Sequence, residues 1–157
     1  MAIKTAVKYQ IDATDRKILH LLSNDARISF LEIARVCGMS GAAIHQRVAK
    51  LKSSGIISGY GLKLSPGDLG YQTCAFIGVF LEKAHLYHEV AEAFSKIPEI
   101  VACHYTTGNY AIFIKVYCRN NEHLMAVLSN DIQQVKGVSS TETFISLEQA
   151  FETAIEP

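Results

Sequence analysis

The sequence predicts an α+β protein in two parts, and three observations lead to this prediction. Two apolar-striped segments meet at a glycine within Phe30–Lys52, which is typical of a helix-turn-helix motif. After residue 67, segments of strand and helix periodicity alternate in the order β-α-β-β-α-β. Basic residues concentrate before this point and acidic residues after it. The expected architecture is a winged helix-turn-helix over residues 1–66, followed by a ferredoxin-like βαββαβ domain over residues 67–157.

The N-terminal part begins with a predicted helix over Ala13–Ser23. Asp12 precedes it and is a residue type that caps helices well. Ile18, Leu19 and Leu22 form its inner, apolar side. This helix supplies the third member of a three-helix bundle.

The second and third helices form the motif itself. Ser29 is a predicted N-cap, with Glu32 at the spacing of a capping box. Gly38 is suited to the left-handed conformation that ends the second helix. Ser40 caps the third helix, in which Ile44, Val48 and Leu51 fall at i, i+4 and i+7 and form one buried stripe.

The opposite face of the third helix is predicted to enter the major groove of DNA. Gln46 has the chemistry to pair with an adenine edge, and Lys50 to contact a phosphate or a guanine. Arg47 is nearer the buried stripe, so we assign it to a phosphate. The alternative is a solvated face on an ordinary helical bundle, because such short motifs also arise by chance. The DNA-contacting candidates are Ser40, Ala42, Ala43, His45, Gln46, Arg47 and Lys50.

Charge partition favours DNA as a partner of the first part only. The chain is neutral as a whole, with 15 basic and 15 acidic residues. Residues 1–66 carry ten Lys and Arg against four Asp and Glu, a net charge of +6, and residues 67–157 carry the compensating −6. A basic domain joined to an acidic one indicates that the basic one meets the phosphate backbone.

A strand and a linker are predicted between the two parts. Gly55 ends the third helix, and Ile56–Leu64 alternates apolar and polar residues as a strand does. This strand would be the wing. Ser65, Pro66 and Gly67 have turn chemistry and form the predicted linker.

The C-terminal part is predicted to be a four-stranded sheet with two helices. Gly108 and Asn109 are a residue pair suited to a tight hairpin turn, and Gly137 is predicted to end the second helix. The predicted strands are Tyr71–Glu82, Ile100–Thr107, Tyr110–Cys118 and Val138–Leu147, and the predicted helices are Leu86–Ile97 and Asn121–Val135.

The first of these strands indicates self-association. It is apolar on one face through Ala75, Ile77 and Val79, and on the other through Phe76 and Phe80. A strand that is apolar on both faces is normally buried on both. A second copy of the domain is the simplest cover for the face that lacks helices. A local irregularity, or a cover made by the ends of the chain, remains the alternative.

Several function classes are excluded by composition and motifs. The longest apolar run has about eight residues where about twenty span a bilayer, and the first ten residues lack an apolar signal core. We therefore expect a cytoplasmic protein without membrane contact. Neither a cofactor nor a metal site is expected, because the scattered cysteines and the His85/His88 pair lack further ligands. No nucleophile stands at a useful spacing from a base, so an enzyme is not expected. The four cysteines, which we interpret as reduced core residues, are Cys37, Cys74, Cys103 and Cys118.

Four short pieces of the sequence are characteristic of one family: Ile11–Leu19, Arg47-Val48, Gly55–Tyr60 and Thr107–Tyr110. With the predicted order of domains, they resemble the Lrp/AsnC family of transcriptional regulators over essentially the whole chain. The resemblance implies DNA-binding dimers that assemble further, often to octamers, and that respond to a small molecule, usually an amino acid. It places the effector near the hairpin turn, between neighbouring dimers. The effector-site candidates that it implies are Thr107, Gly108, Asn109, Tyr110 and Thr143.

The hairpin departs from the family pattern in its charge. The family often has Gly-Asp-Tyr-Asp, whereas this chain has Gly108, Asn109, Tyr110 and Ala111. Both carboxylates, the natural partners of an ammonium group, are replaced. Two other functions therefore stay open. One is an architectural DNA-binding protein without an effector. The other is an enzyme similar to the haem-pathway decarboxylases that share this architecture, against which the +6 charge speaks.

Overall fold

The computed structural model describes residues 9–157, which divide into two compact units. One unit runs up to Lys63 and includes Glu152–Pro157, and the other is Leu64–Phe151. Each unit has its own hydrophobic core. Among residues 9–157 there is no helix long and apolar enough to cross a membrane.

The first unit contains the three predicted helices: α1 (Ala13–Asn24), α2 (Phe30–Cys37) and α3 (Gly41–Ser53). The predicted caps are confirmed. Asp12 forms a reciprocal capping box with Asp15, and Ser29 and Ser40 accept the Glu32 and Ala43 amides. Gly38 ends α2 at φ 65°, in the left-handed region that glycine adopts without strain.

The three helices enclose one small core. Ile44, Val48 and Leu51 of α3 are buried, as the stripe predicts. They meet Ile18 of α1 and Ile33 of α2. The ammonium of Lys17 also donates to the Val36 carbonyl at 2.7 Å, so α1 satisfies one of the carbonyls at the end of α2. Helix α3 is thus fixed by its apolar side, and its polar side remains on the surface.

The predicted wing strand over Ile56–Leu64 is wrong for this chain. Residues 56–64 have no regular secondary structure. Leu62 is 77% exposed, and Tyr60 and Leu64 also lie on the surface. A strand requires a hydrogen-bonding neighbour, and the alternating pattern alone supplies none.

The second unit is a four-stranded antiparallel sheet, which confirms the βαββαβ prediction. Its strands are β1 (Thr73–Leu81), β2 (Ile100–Tyr105), β3 (Ile112–Cys118) and β4 (Val138–Ser146), in the spatial order β2-β3-β1-β4. The central strands β1 and β3 pair with Ile77 opposite Ile114, and β1 pairs with β4 with Ile77 opposite Thr143.

The two helical segments are shorter than predicted. A 3-10 turn (Ala84–Leu86) leads into α4 (Tyr87–Phe94), and α5 (Asn121–Ala126) continues as a π-helical turn (Val127–Ile132). The second segment therefore ends before Val135, and Gly137 does not cap it. Gly137 instead has φ 99° at the entry to β4, where a Cβ would lie 3.1 Å from Leu86.

The sheet has one covered face and one open face. Ala75, Ile77 and Val79 of β1 are fully buried beneath the helices. The opposite side chains, Phe76 and Phe80, are half-buried, and Phe76 stacks on Phe113 of β3 with centroids 5.9 Å apart. We call the side that carries Phe76, Phe80, Phe113 and Phe144 the open face.

Candidate DNA interface and effector loop

The outward face of α3 presents the candidate DNA contacts on the surface. Ala42, His45, Gln46 and Lys50 are exposed, and Ala43 is half-buried. Small side chains at the start of the helix leave its backbone close to the surface, where it could approach a groove. The imidazole of His45 packs edge-on against Phe30 at 5.8 Å between centroids, so it is partly held by α2.

Arg47 has a different environment from the one the sequence suggests. Its Nη1 lies 2.7 Å from Asp12 Oδ2 and 2.8 Å from Asp15 Oδ1. Arg47 is 28% exposed and Asp15 fully buried. The sequence predicts that the Arg47 guanidinium, on the flank of the helix nearer the buried stripe, contacts a phosphate. The structure gives that guanidinium two carboxylate partners within the protein.

Hydrogen bonds shift the pKa values of Asp12, Arg47 and Tyr9 in this cluster. The carboxylate of Asp12 accepts the Asp15 amide and the Arg47 guanidinium, and both interactions lower the pKa of Asp12. Hydrogen bonds to the carboxylates of Asp12, which has the larger effect, and of Asp15 raise the pKa of Arg47. The hydroxyl of Tyr9 donates to Asp15 Oδ2 at 2.9 Å, and this bond raises the pKa of Tyr9.

Four of the five candidate effector residues form a loop between β2 and β3 that is longer than a two-residue turn. Tyr105, the last residue of β2, pairs with Ile112, the first residue of β3. Just beyond this pair, the Thr106 amide donates to the Ala111 carbonyl at 3.0 Å. This bond closes the segment 107–110, which we call the effector loop. The prediction of a tight turn at Gly108 is wrong, because Gly108 does not adopt the positive φ that such a turn requires.

Tyr110 anchors the effector loop to the open face. Its ring lies over Gly78 of β1, where an added Cβ would come within 2.4 Å of the ring carbons. The ring also meets Phe80 edge-on, with centroids 5.3 Å apart, and Phe113 at 5.9 Å. Glycine at position 78 is therefore what makes room for the tyrosine.

The hydroxyl of Tyr110 reaches a carboxylate that the sequence reasoning did not select. It donates to Glu142 Oε2 of β4 at 2.7 Å, and this bond raises the pKa of Tyr110. Glu142 of β4 lies opposite Gly78 of β1 in the sheet register. The sequence does not give this register, so it could not identify Glu142 as a partner of Tyr110.

Thr143 is not brought to this cluster. It pairs with Ile77, whose side chain lies in the covered core, so Thr143 belongs to the face opposite Tyr110. The structure thus gathers Tyr110 and Glu142 at the loop and separates Thr143 from them. The loop residues Thr107, Gly108 and Asn109 are exposed.

Comparison with known protein families accounts for both units. Residues 11–52 match the AsnC-type helix-turn-helix domain, and residues 74–155 match the Lrp/AsnC ligand binding domain. The regulatory protein AsnC of Escherichia coli is 42% identical over 95% of this chain and 98% of its own length. That of Haemophilus influenzae is 40% identical over 95% and 99%.

Solved structures agree with the fold. The structure of E. coli AsnC superposes with a TM-score of 0.90, covering 95% of this chain and 100% of that one, at 42% identity. A transcriptional regulator from Neisseria meningitidis in complex with L-Met superposes with a TM-score of 0.87 at 24% identity, covering 94% and 97%. The second likeness concerns the fold.

Proposed function

The chain belongs to the Lrp/AsnC family of transcriptional regulators, and we propose how its residues bind DNA, ligand and a second copy. It is an AsnC-type DNA-binding regulator with a ligand-binding domain, and not an enzyme. In our proposal residues 1–66 bind DNA and residues 67–157 bind the effector and mediate assembly. Binding to chromosomal DNA would place the protein in the cytoplasm.

We assign DNA contact to the outward face of α3. The observation that carries this assignment is the exposed row of Gln46 and Lys50 beside the small residues Ala42 and Ala43. Gln46 offers the donor and acceptor that match adenine, and Lys50 offers a cation for guanine or phosphate. A dimer would present two such helices to half-sites about one helical turn, or a multiple of it, apart.

Lys50→Ala tests the DNA assignment. Loss of a guanine contact should weaken binding to the preferred sequence by about 1–3 kcal/mol, whereas loss of a phosphate contact should weaken all sequences similarly and lower the salt slope by about one. The probe is the best duplex recovered by the wild type from a random pool, compared with a scrambled duplex. Lys136→Ala, a lysine of the acidic unit, is the control. Unchanged binding of Lys50→Ala to both duplexes would remove α3 from the interface.

We propose that the open face of the sheet pairs with a second copy. Phe76, Phe80 and Phe113 form a half-buried aromatic layer there, and Phe144 is 43% exposed. An apolar face of this kind is stabilised when a partner removes it from water. Further assembly of such dimers into octamers is part of the same proposal.

Phe76→Glu tests the pairing, because it places a charge in the apolar layer. Sedimentation should show smaller particles than the wild type. Met125→Glu, on an exposed position of α5, is the matched control and should leave the dimer intact. A wild-type protein that sediments as a monomer would refute the proposal.

The effector is proposed to be an amino acid at the effector loop. The loop exposes Thr107, Gly108 and Asn109, and the L-Met bound by the Neisseria regulator makes amino acids the first class to test. Because residues 109 and 111 carry no carboxylate, Asn109→Asp should strengthen the response to an ordinary amino acid.

The measurement is the change in melting temperature with each of the common amino acids, for wild type, Asn109→Asp and Ala111→Asp. Strengthening by either substitution supports the site. If no amino acid shifts any of the three proteins, the second candidate function is favoured: an architectural DNA-binding protein, to which the missing carboxylates of the loop point.

A further inference from the structure

Arg47 joins the recognition helix to the start of the first helix. Its Nη1 is shared between Asp12, the N-cap of α1, and Asp15 in the first turn, 35 and 32 residues away in the sequence. Each carboxylate is held by the backbone of the other acid, since the Asp15 amide donates to Asp12 Oδ1 at 2.8 Å and the Asp12 amide donates to Asp15 Oδ2 at 3.3 Å. One guanidinium therefore adds a polar link between α3 and a preorganised pair of acids to the apolar packing of the same helix.

Asp15 makes this link demanding. It is fully buried, and its second oxygen accepts the Tyr9 hydroxyl at 2.9 Å and the Asp12 amide at 3.3 Å. A buried carboxylate requires a compensating cation and filled hydrogen bonds. Arg47 supplies the cation, so a swing of Arg47 towards DNA would leave the charge of Asp15 unpaired.

The acids also lie beside the proposed DNA contacts. Asp12 is 51% exposed and lines a depression of about 350 Å³ together with Gln46, Arg47 and Lys50. A free carboxylate at this place would repel a phosphate backbone. The pairing with Arg47 reduces that repulsion where Gln46 and Lys50 are presented.

We propose that Arg47 is a positioning residue for DNA recognition: it orients α3 against α1 and shields two carboxylates, and it does not contact phosphate. The specificity of binding then depends on a side chain that touches no base. The inference rests on the proposed use of α3 as the DNA-contacting helix, and on the pairing seen in the structure.

The test compares Arg47→Gln and Asp12→Asn with Lys50→Ala. Asn is as good an N-cap as Asp, so Asp12→Asn removes the ion pair of Arg47 with residue 12, leaves the pair with Asp15, and keeps the cap. For each variant three quantities are measured well below its melting temperature: affinity for the pool-selected duplex, affinity for the scrambled duplex, and the slope of log K against log salt.

We expect Arg47→Gln to lower the ratio of selected to scrambled affinity by on the order of ten-fold, comparable to one lost base-pair contact. Asp12→Asn, which keeps the Arg47–Asp15 pair, should lower the same ratio by a smaller factor. Their salt slopes should equal that of the wild type, because no phosphate contact is removed. Asp12→Asn should in addition bind the scrambled duplex slightly more tightly, since a negative charge has gone.

Two results would overturn the inference. A salt slope lowered by about one in Arg47→Gln, with an unchanged affinity ratio, would identify Arg47 as a phosphate contact. A lowered melting temperature with an unchanged ratio in both variants would leave Arg47 a purely structural role. If Arg47→Gln does not fold, Asp12→Asn decides alone. A loss of ratio in Lys50→Ala without one in Asp12→Asn would refute the positioning role and keep α3 as the DNA-contacting helix.

Discussion

Replacing Gly78 by Ala should lower the free energy of unfolding when residue 110 is tyrosine, and should raise it when residue 110 is alanine. In the wild type the new methyl group would lie 2.4 Å from Cγ and Cδ1 of Tyr110, where ordinary contact begins at 3.4 Å. A retreat of the ring by about 1.0 Å, the difference between those distances, would restore ordinary contact. Such overpacking costs about 1–3 kcal/mol.

The displacement also affects the hydrogen bond from Tyr110 to Glu142. That bond has an ordinary length of 2.7 Å, and a ring that moves off the sheet carries its hydroxyl away from β4. In a Tyr110→Ala background the three atoms nearest to that methyl group, all of the tyrosine ring, are absent. There Gly78→Ala should stabilise the protein by about 0.5–1 kcal/mol, because glycine in a strand interior is less favourable than alanine.

The assay is urea unfolding followed by far-UV circular dichroism, for wild type, both single variants and the double variant at one protein concentration. Gly59→Ala is a control, since a Cβ there would meet nothing within 4 Å. Destabilisation by Gly78→Ala in both backgrounds, or in neither, would refute the contact between Gly78 and Tyr110 as its cause.

Three further predictions concern the helical core, the cap of α2 and the effector loop. Ile44→Ala removes a fully buried side chain from the helical core and should cost about 2–5 kcal/mol in urea unfolding. Ser29→Ala removes the cap of α2 and should cost about 1 kcal/mol while leaving the salt slope of DNA binding unchanged. The pKa of Tyr110 is raised by its bond to Glu142 above the ordinary 10.0, so this stabilisation is present below pH 10.0 and is lost as the pH rises beyond it. Tyr110→Phe should therefore reduce the alkaline fall in melting temperature between about pH 9 and about pH 11, and an unaltered fall would contradict this cause.

Local chemistry was enough to predict the helices of the first unit. Asp12, Ser29 and Ser40 are short polar residues directly before apolar-periodic segments, and each caps its helix as expected. Their hydrogen bonds close within three residues, so the signal is contained in the sequence itself. Gly38 is of the same kind, since its left-handed conformation is a local property of the helix end.

Features that depend on distant partners could not be predicted in this way. The pattern of Ile56–Leu64 is that of a strand, yet a strand forms only where another strand is available. The pairing of Arg47 with Asp12 crosses 35 residues, and Glu142 meets Tyr110 across 32. Thr143 was chosen by resemblance, whereas the register puts its neighbour Glu142 on the side of Tyr110. A shift of one residue moves a side chain to the other face of a sheet.

Although both hairpin carboxylates of the family pattern are replaced in this chain, Glu142 brings another carboxylate next to the effector loop. By sequence alone the loop carries no charge at residues 109 and 111, which are Asn and Ala. The structure sets a carboxylate of β4 in contact with the loop through Tyr110, whose ring also forms part of the open face. A ligand that displaces Tyr110 would therefore disturb the loop, Glu142 and the aromatic layer together. Such a ligand would shift the assembly equilibrium only as far as it binds more tightly to the protein with Tyr110 displaced than to the protein with Tyr110 on the open face. Since the proposed cover of the open face packs against the same side chain, effector binding and assembly would then be coupled through Tyr110.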